Sequence, residues 1–351
     1  MPKLLQHIAV ILLGLISMNA SAKLAGKNVI LVHGFISTDI NQNRSDSQLL
    51  NGAKSYWQDY WRGKVSNVNK HILYWPSAER VEGKIKDKIR SQLIALGNDC
   101  INGCIFVTHS TGDLVTRYML KNLGAWGLSN KVKVDAVIDF AGAGGGTKLA
   151  EIAVAISEGS GAVNSAQRWA VQQALQFTPQ KGKMGVMYDL VPSKSRSIAT
   201  GYVGVPRLRY VGTGTEFAGA TKPFLTGKSD SVVAMHSACG AANFGDYQSC
   251  VGNVANNGEL KSVRGAGSLW ANHYPILMGE KTTHGGTINN NKGSEFTTVN
   301  NNKNYGGLNV SFATKTERKW WSGGRNVRWV RYNNQWGSNY SMSNLVYNEL
   351  N

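Results

Sequence analysis

Apolar runs long enough to cross a bilayer are missing from this sequence. The stretch that comes nearest, Ile8 to Ile16, has nine residues, against the ~20 that a membrane helix needs. It follows the basic Lys3 and precedes Ala20 and Ala22, small residues spaced as in a cleavage signal. Residues 1–22 therefore read as a signal peptide removed after Ala22, and the mature chain as a soluble secreted or periplasmic protein. Acidic residues are scarce as well, 21 against 38 Lys and Arg, for a formal net charge of +17. That excess reads either as a plain soluble basic surface or as attraction to anionic surfaces such as phospholipid head groups or cell-envelope polymers. No internal repeat marks a solenoid.

Cysteine is rare too. The four, Cys100, Cys104, Cys239 and Cys250, form two close pairs in "CINGC" and "CGAANFGDYQSC". Three pairings are formally open. In an oxidising compartment the two local bridges, Cys100–Cys104 and Cys239–Cys250, are expected. The spacing lacks the CxxC and histidine pattern of a metal site, so no metal is expected.

What is present is an alternation of short apolar runs with amphipathic segments. "KNVILVHGF", "HILYWPS", "CIFVTHS", "KVDAVIDFAGAGGG" and "RLRYVGTGT" read as buried parallel strands. "ERVEGKIKDKIRSQLIAL" places Val81, Ile85, Ile89 and Leu93 on one helix face, and "TGDLVTRYMLKNL" reads as a second helix. This is an α/β chain with a mostly parallel sheet covered by helices. An alanine-rich helical insert at about 147–177 interrupts it, either as cover for one end of the sheet or as a mobile lid. A "LKSVRGAGSLWANHYPI" segment reads as a last strand, a loop bearing His273 and a helix from about Pro275. The catalytic domain is expected over 23–284. Residues 285–351 read as an accessory β-rich extension in which "ERKWWSGGRNVRWVRYNNQW" suits a twisted hairpin.

The chemistry centres on "VTHSTGD". Serine attacks an ester only when a base takes its proton and its hydroxyl protrudes from the sheet. A strand that passes into a helix through a tight turn provides that protrusion, and here Ser110 stands between "CIFV" and a helix beginning near Thr111. Thr108 occupies the position of the first glycine of G-x-S-x-G, and Gly112 that of the second. The loop after "ILV" supplies a partner for oxyanion binding: the N–H groups of Phe35 and Thr111 are the expected pair, with His33 and Gly34 shaping the loop.

In order along the chain, "ILVHGF", "VTHSTGD", "MYDLVPS", "SDSVV" and "WANHYPI" resemble the secreted bacterial lipases and esterases of the α/β-hydrolase superfamily. The resemblance implies an α/β-hydrolase fold, a lid-like role for the insert over an acyl groove, and hydrolysis of carboxylic esters, above all lipids, with no cofactor. It implies a triad running Ser, Asp, His. Chain order assigns Ser110, Asp230 and His273, with Asp139 and Asp189 as rival acids and His236 and His284 as rival bases. Some resembling lipases brace the histidine loop with calcium, but "YPILMGE" offers only Glu280 as a ligand. An acyltransferase would use the same triad, and a catalytically inactive surface-binding module is the non-enzymatic alternative.

The partners expected are an acyl ester and an anionic membrane surface. Residues 281–351 hold nine Lys and Arg against three Glu, interleaved with Trp320, Trp321, Trp329 and Trp336. Tryptophan beside basic residues suits a head-group interface, and two of the four equally suit a small core of the hairpin's own against the main domain. No base-reading motif is present, so nucleic acid is not expected.

Overall fold

The computed structural model describes residues 26–198, 204–245, 269–277 and 282–289, with short segments between and beyond them. Residues 1–22, read above as a signal peptide, and Cys250, Trp320 and Trp321 lie outside the described residues.

Seven strands make the main sheet: β1 (Asn28–Val32), β2 (Ile72–Leu73), β3 (Cys104–His109), β4 (Val134–Phe140), β5 (Arg207–Val211), β6 (His273–Leu277) and β7 (Thr297–Thr298). Their spatial order is β2-β1-β3-β4-β5-β6-β7. The first six in that order pair in parallel, and β7 is antiparallel to β6.

The period-two alternation of a strand sends each apolar run to both faces. Val29 and Leu31 share one face with Ile105 and Val107, where helix α1 (Asp46–Arg62) contributes Trp57 and Trp61. Ile30 and Val32 share the other face with Phe106. There helices α2 (Lys86–Leu96) and α3 (Gly112–Asn122) contribute Ile89, Leu93, Leu114 and Val115. Continuous apolar strands are what a parallel sheet covered on both sides requires. This strand order, with a strand–turn–helix at an interior strand and helices on both faces, is an α/β-hydrolase fold.

The insert forms two helices, α4 (Lys148–Glu158) and α5 (Ser165–Leu175). Thr147 caps α4 by accepting from the Leu149 N–H, and left-handed Gly159 ends it. A capping box of Asn164 and Gln167 starts α5.

One sequence expectation is corrected. No helix begins at Pro275: "HYPIL" is itself strand β6, and "LKS" (Leu260–Ser262) pairs instead with Asn253–Val254 in a small antiparallel unit. Proline is tolerated in this strand because, among the described residues, the second neighbour, β7, reaches only Ile276 and Leu277. Pro275 therefore owes no ladder hydrogen bond on that side.

Cys100 and Cys104 are bridged. Cys239 is also disulfide-bonded. Beyond residue 285, Thr314–Arg318 and Asn326–Tyr332 pair antiparallel, and Gln335–Trp336 adds to them. The same stretch of chain supplies β7 to the sheet edge, and Val346 is buried in the apolar cluster that holds Trp57 and Trp61.

Candidate active site

Strand β3 ends at His109 and α3 begins at Gly112, which leaves Ser110 and Thr111 to turn the chain. Ser110 has φ +55, a left-handed conformation uncommon for a residue with a side chain. Three backbone bonds hold it there. Its N–H donates to Phe140 O at 3.1 Å, and its carbonyl accepts from Asp113 N (3.1 Å) and Ala143 N (2.9 Å). The turn also needs Gly112, because a Cβ there would lie 2.7 Å from His33 O at the end of β1. Likewise a Cβ on Gly34 would lie 2.7 Å from the Ser110 Cβ. The glycine two before the serine is not needed: Thr108 is buried, and its hydroxyl donates to Asp139 at 2.5 Å.

The loop after β1 is fixed by His33. Its Nε2 accepts from the Trp75 N–H at 3.2 Å, so the proton sits on Nδ1, which donates to Gly34 O at 2.6 Å. Burial lowers its pKa to about 4 and keeps it neutral. Its ring stacks on Trp75 at 4.6 Å. Phe35 and Thr111, whose N–H groups are the expected oxyanion donors, both line one cavity with Ser110. Thr111 opens α3, where backbone N–H groups have no partner within the helix.

Asp230 is fully buried. Its Oδ1 accepts from the N–H groups of Val232 (3.0 Å) and Val233 (2.7 Å). Its Oδ2 meets the Nδ1 of His284 at 2.8 Å, not that of His273. The His284 N–H also donates to Asp230 O at 3.0 Å. Burial disfavours the charged ring of His284, but the charge and hydrogen bond of Asp230 outweigh it and raise the pKa above 6.5.

The expected base, His273, stands elsewhere. In register, His109 lies level with Phe140, Tyr210 and Ile276 across β3 to β6. His273 is three residues before Ile276, ~10 Å toward the amino end of the sheet at ~3.3 Å per residue, while Ser110 follows the carboxyl end. His273 Nδ1 bonds Ala271 O at 3.0 Å, and its ring lies 5.4 Å from Trp270. Burial and then the charges of Arg209, Arg207 and Arg117 hold its pKa well below the usual value. The misplacement follows from the strand: with "HYPIL" inside the sheet, the histidine after the last parallel strand is His284. The continuous apolar run directly after His273, Tyr274 to Met278, was the available signal.

The rival residues have other partners. Asp189 accepts from Arg80 Nε (2.9 Å) and Val81 N (2.7 Å). Asp139 binds Thr108 and lies 3.1 Å from Arg209. His236 is buried against the Phe244 ring, 4.8 Å away.

Two further side chains enter the site without a sequence signal of their own. Tyr56 of α1 donates its hydroxyl to His109 Nδ1, and His109 Nε2–H donates to His284 O at 3.0 Å. The Tyr56 hydroxyl also bonds the Gly34 backbone. The residue before Ser110 therefore ties the loop after β1 to the loop that carries His284. Burial first, then the neighbouring His284, keeps the His109 pKa well below the ordinary value.

Ser110, Thr111, Phe35, Tyr56, His109 and His284 line a cavity of about 600 Å³. Its size is that of a small-molecule site. Chemically, the arrangement offers a protruding hydroxyl, an imidazole oriented by a buried carboxylate, and helix-start N–H donors.

No protein-family model and no curated protein matches this chain. Similar solved structures include the mature form of lipase BlEst2 from Bacillus licheniformis, with TM-score 0.40 and 15% identity over 62% of this chain and 80% of that one. Phospholipase PlaB from Legionella pneumophila gives 0.36 and 17% over 60% and 45%. The Staphylococcus hyicus lipase gives 0.37 and 10% over 77% and 90%.

Proposed function

We propose that this chain is a carboxylic-ester hydrolase working through an acyl-enzyme on Ser110, with His284 as general base and Asp230 as the group that orients it. One observation carries the reading: a serine at φ +55 on a strand-to-helix turn shares a cavity with a histidine whose Nδ1 is held 2.8 Å from a buried aspartate. With Nδ1 committed to Asp230, Nε2 is free to take the Ser110 proton. Ser110 Oγ then attacks the ester carbonyl, and the N–H groups of Phe35 and Thr111 receive the oxyanion. His284 returns the proton to the leaving alcohol. Water, activated by the same imidazole, releases the acid and restores the serine.

Lipid-like acyl groups suit the apolar wall of Phe35, Leu175, Met187 and Leu190. Export through residues 1–22 and attachment to anionic surfaces through the basic, tryptophan-bearing extension complete the proposal. The deciding test is fluorophosphonate labelling with p-nitrophenyl butyrate turnover. Wild-type protein labels at Ser110 and turns over. Ser110→Ala does neither while keeping its circular dichroism, and turnover retained in that variant overturns the reading.

A further inference from the structure

The cavity has two unlike walls. On the insert side stand Ala174 and Leu175 of α5 with Phe35, Met187 and Leu190. Phe35 packs its ring 5.7 Å from Phe177, and Leu190 O accepts from the Thr147 N–H that precedes α4, so this wall belongs to the insert. Around His284 stand Thr283, Gly285 and Glu216, whose following residues Phe217–Gly219 also touch α5, and Gln58 and Asn289 line the cavity as well. Trp61, one turn along α1 from Gln58, donates its indole N–H to Ile288 O at 2.8 Å, which joins α1 to this wall.

The direction of proton flow assigns the walls. His284 hands its proton to the leaving oxygen, so the alcohol half of an ester sits beside His284 and the acyl half lies toward the insert. The alcohol therefore meets Glu216. The Glu216 N–H is held by Ser231 Oγ at 2.7 Å, one residue from Asp230, and Glu216 Oε1 lies 3.9 Å from where a Cβ on Gly285 would stand. Among the described cavity-lining residues Glu216 is the one acidic side chain, and no Lys or Arg accompanies it. The imidazolium formed during acylation is balanced first by Asp230, and the Glu216 charge reaches the same ring, so the alcohol held beside His284 meets that charge as well.

Resting on the serine-hydrolase reading above, we propose that Glu216 selects the alcohol half of the substrate by charge. The site takes esters of apolar acids with polar alcohols that are cationic or uncharged, and rejects alcohols that carry an anion. This runs opposite to the net charge of the whole chain, +17, which alone would favour anionic molecules.

The experiment holds the acyl group constant. Octanoylcholine, mono-octanoylglycerol and 1-octanoylglycerol 3-phosphate are compared by kcat/KM with the wild type and Glu216→Gln. The wild type is expected to favour the choline ester over the phosphate ester by about tenfold, as a partly screened charge contact allows. Glu216→Gln is expected to narrow that ratio to within about threefold. Should the variant fail to fold, the wild-type ratio at low salt and at about 1 M salt replaces it: a ratio set by charge falls with screening, and one set by shape does not. A flat or inverted wild-type ratio, or a ratio unmoved by both the substitution and salt, overturns this inference and leaves the hydrolase reading standing. No turnover of any ester, with Ser110 unlabelled, removes both.

Discussion

His284 and Asp230 are joined twice, by Nδ1 to Oδ2 at 2.8 Å and by the His284 N–H to the Asp230 carbonyl at 3.0 Å. The backbone bond holds the loop, and the side-chain bond then has little freedom left to lose. A ring fixed this way presents one nitrogen to the cavity with its tautomer already chosen.

The two histidines give the sharpest contrast. His284→Ala is expected to lower kcat by ~10⁴-fold or more, as loss of a triad member does. His273→Ala is expected to keep kcat within about threefold and to cost roughly 1–3 kcal/mol of stability, because it removes a half-buried side chain packed between Trp270 and Gly240. Steady-state kinetics and thermal melts on the two variants decide it, and the reverse pattern would restore His273 as the base.

The pH profile follows from the same pair. In the proposed mechanism the base works as neutral imidazole, and Asp230 raises the His284 pKa above 6.5 despite burial. The acid limb of kcat/KM therefore has its midpoint above 6.5, with activity lost as pH falls through it. Asp230→Asn should move that midpoint down and lower kcat by about 10⁴-fold. A midpoint that stays put in Asp230→Asn would place the titrating group elsewhere.

Tyr56 acts at one remove. Its hydroxyl joins the Gly34 backbone to His109, which in turn holds the His284 carbonyl. Tyr56→Phe keeps the ring and removes only that link. The expected result is a kcat lowered by roughly 10-fold to 100-fold with KM little changed, since slight misplacement of a catalytic group has costs of that size. Slower fluorophosphonate labelling at unchanged melting temperature separates positioning from a merely structural role.

Beneath the turn, Asp113 accepts from Arg207, from Arg209 at 2.5 Å and from Gly144 N at 2.8 Å. Burial opposes its charge, but Arg209 and Arg207 outweigh it and hold the carboxyl well below its usual range. Asp113→Asn leaves two buried guanidinium groups without their shared acid and should cost about 3–5 kcal/mol.

Asp139 differs: burial, and then the charge of Asp113, push it up to about 7. Between pH 4 and 7 the folded state keeps this proton while the unfolded state releases it, so wild-type stability falls across that window. Asp139→Asn lacks that decline. Its melting temperature relative to wild type should rise from pH 4 to pH 7, and a difference that falls instead would refute the assignment.

Local pattern and chain order were enough to read the parallel sheet, the strand-to-helix turn at Ser110 and the apolar helix faces. Each of these depends on neighbours a few residues apart, where strand alternation, helix periodicity and turn sterics act. The Gly112 requirement was legible for the same reason, since a tight turn crowds the backbone wherever it occurs. The partner of Asp230 was not legible. His273 and His284 are eleven positions apart, and the choice between them turned on whether "HYPIL" enters the sheet. That depended on pairing with Arg207–Val211, more than 60 positions earlier, and on an edge that tolerates Pro275. The Tyr56–His109–His284 chain and the opposed cavity walls likewise join segments distant in sequence. Only packing could bring them together, because side-chain chemistry says what a residue can bond and the tertiary fold says what it meets.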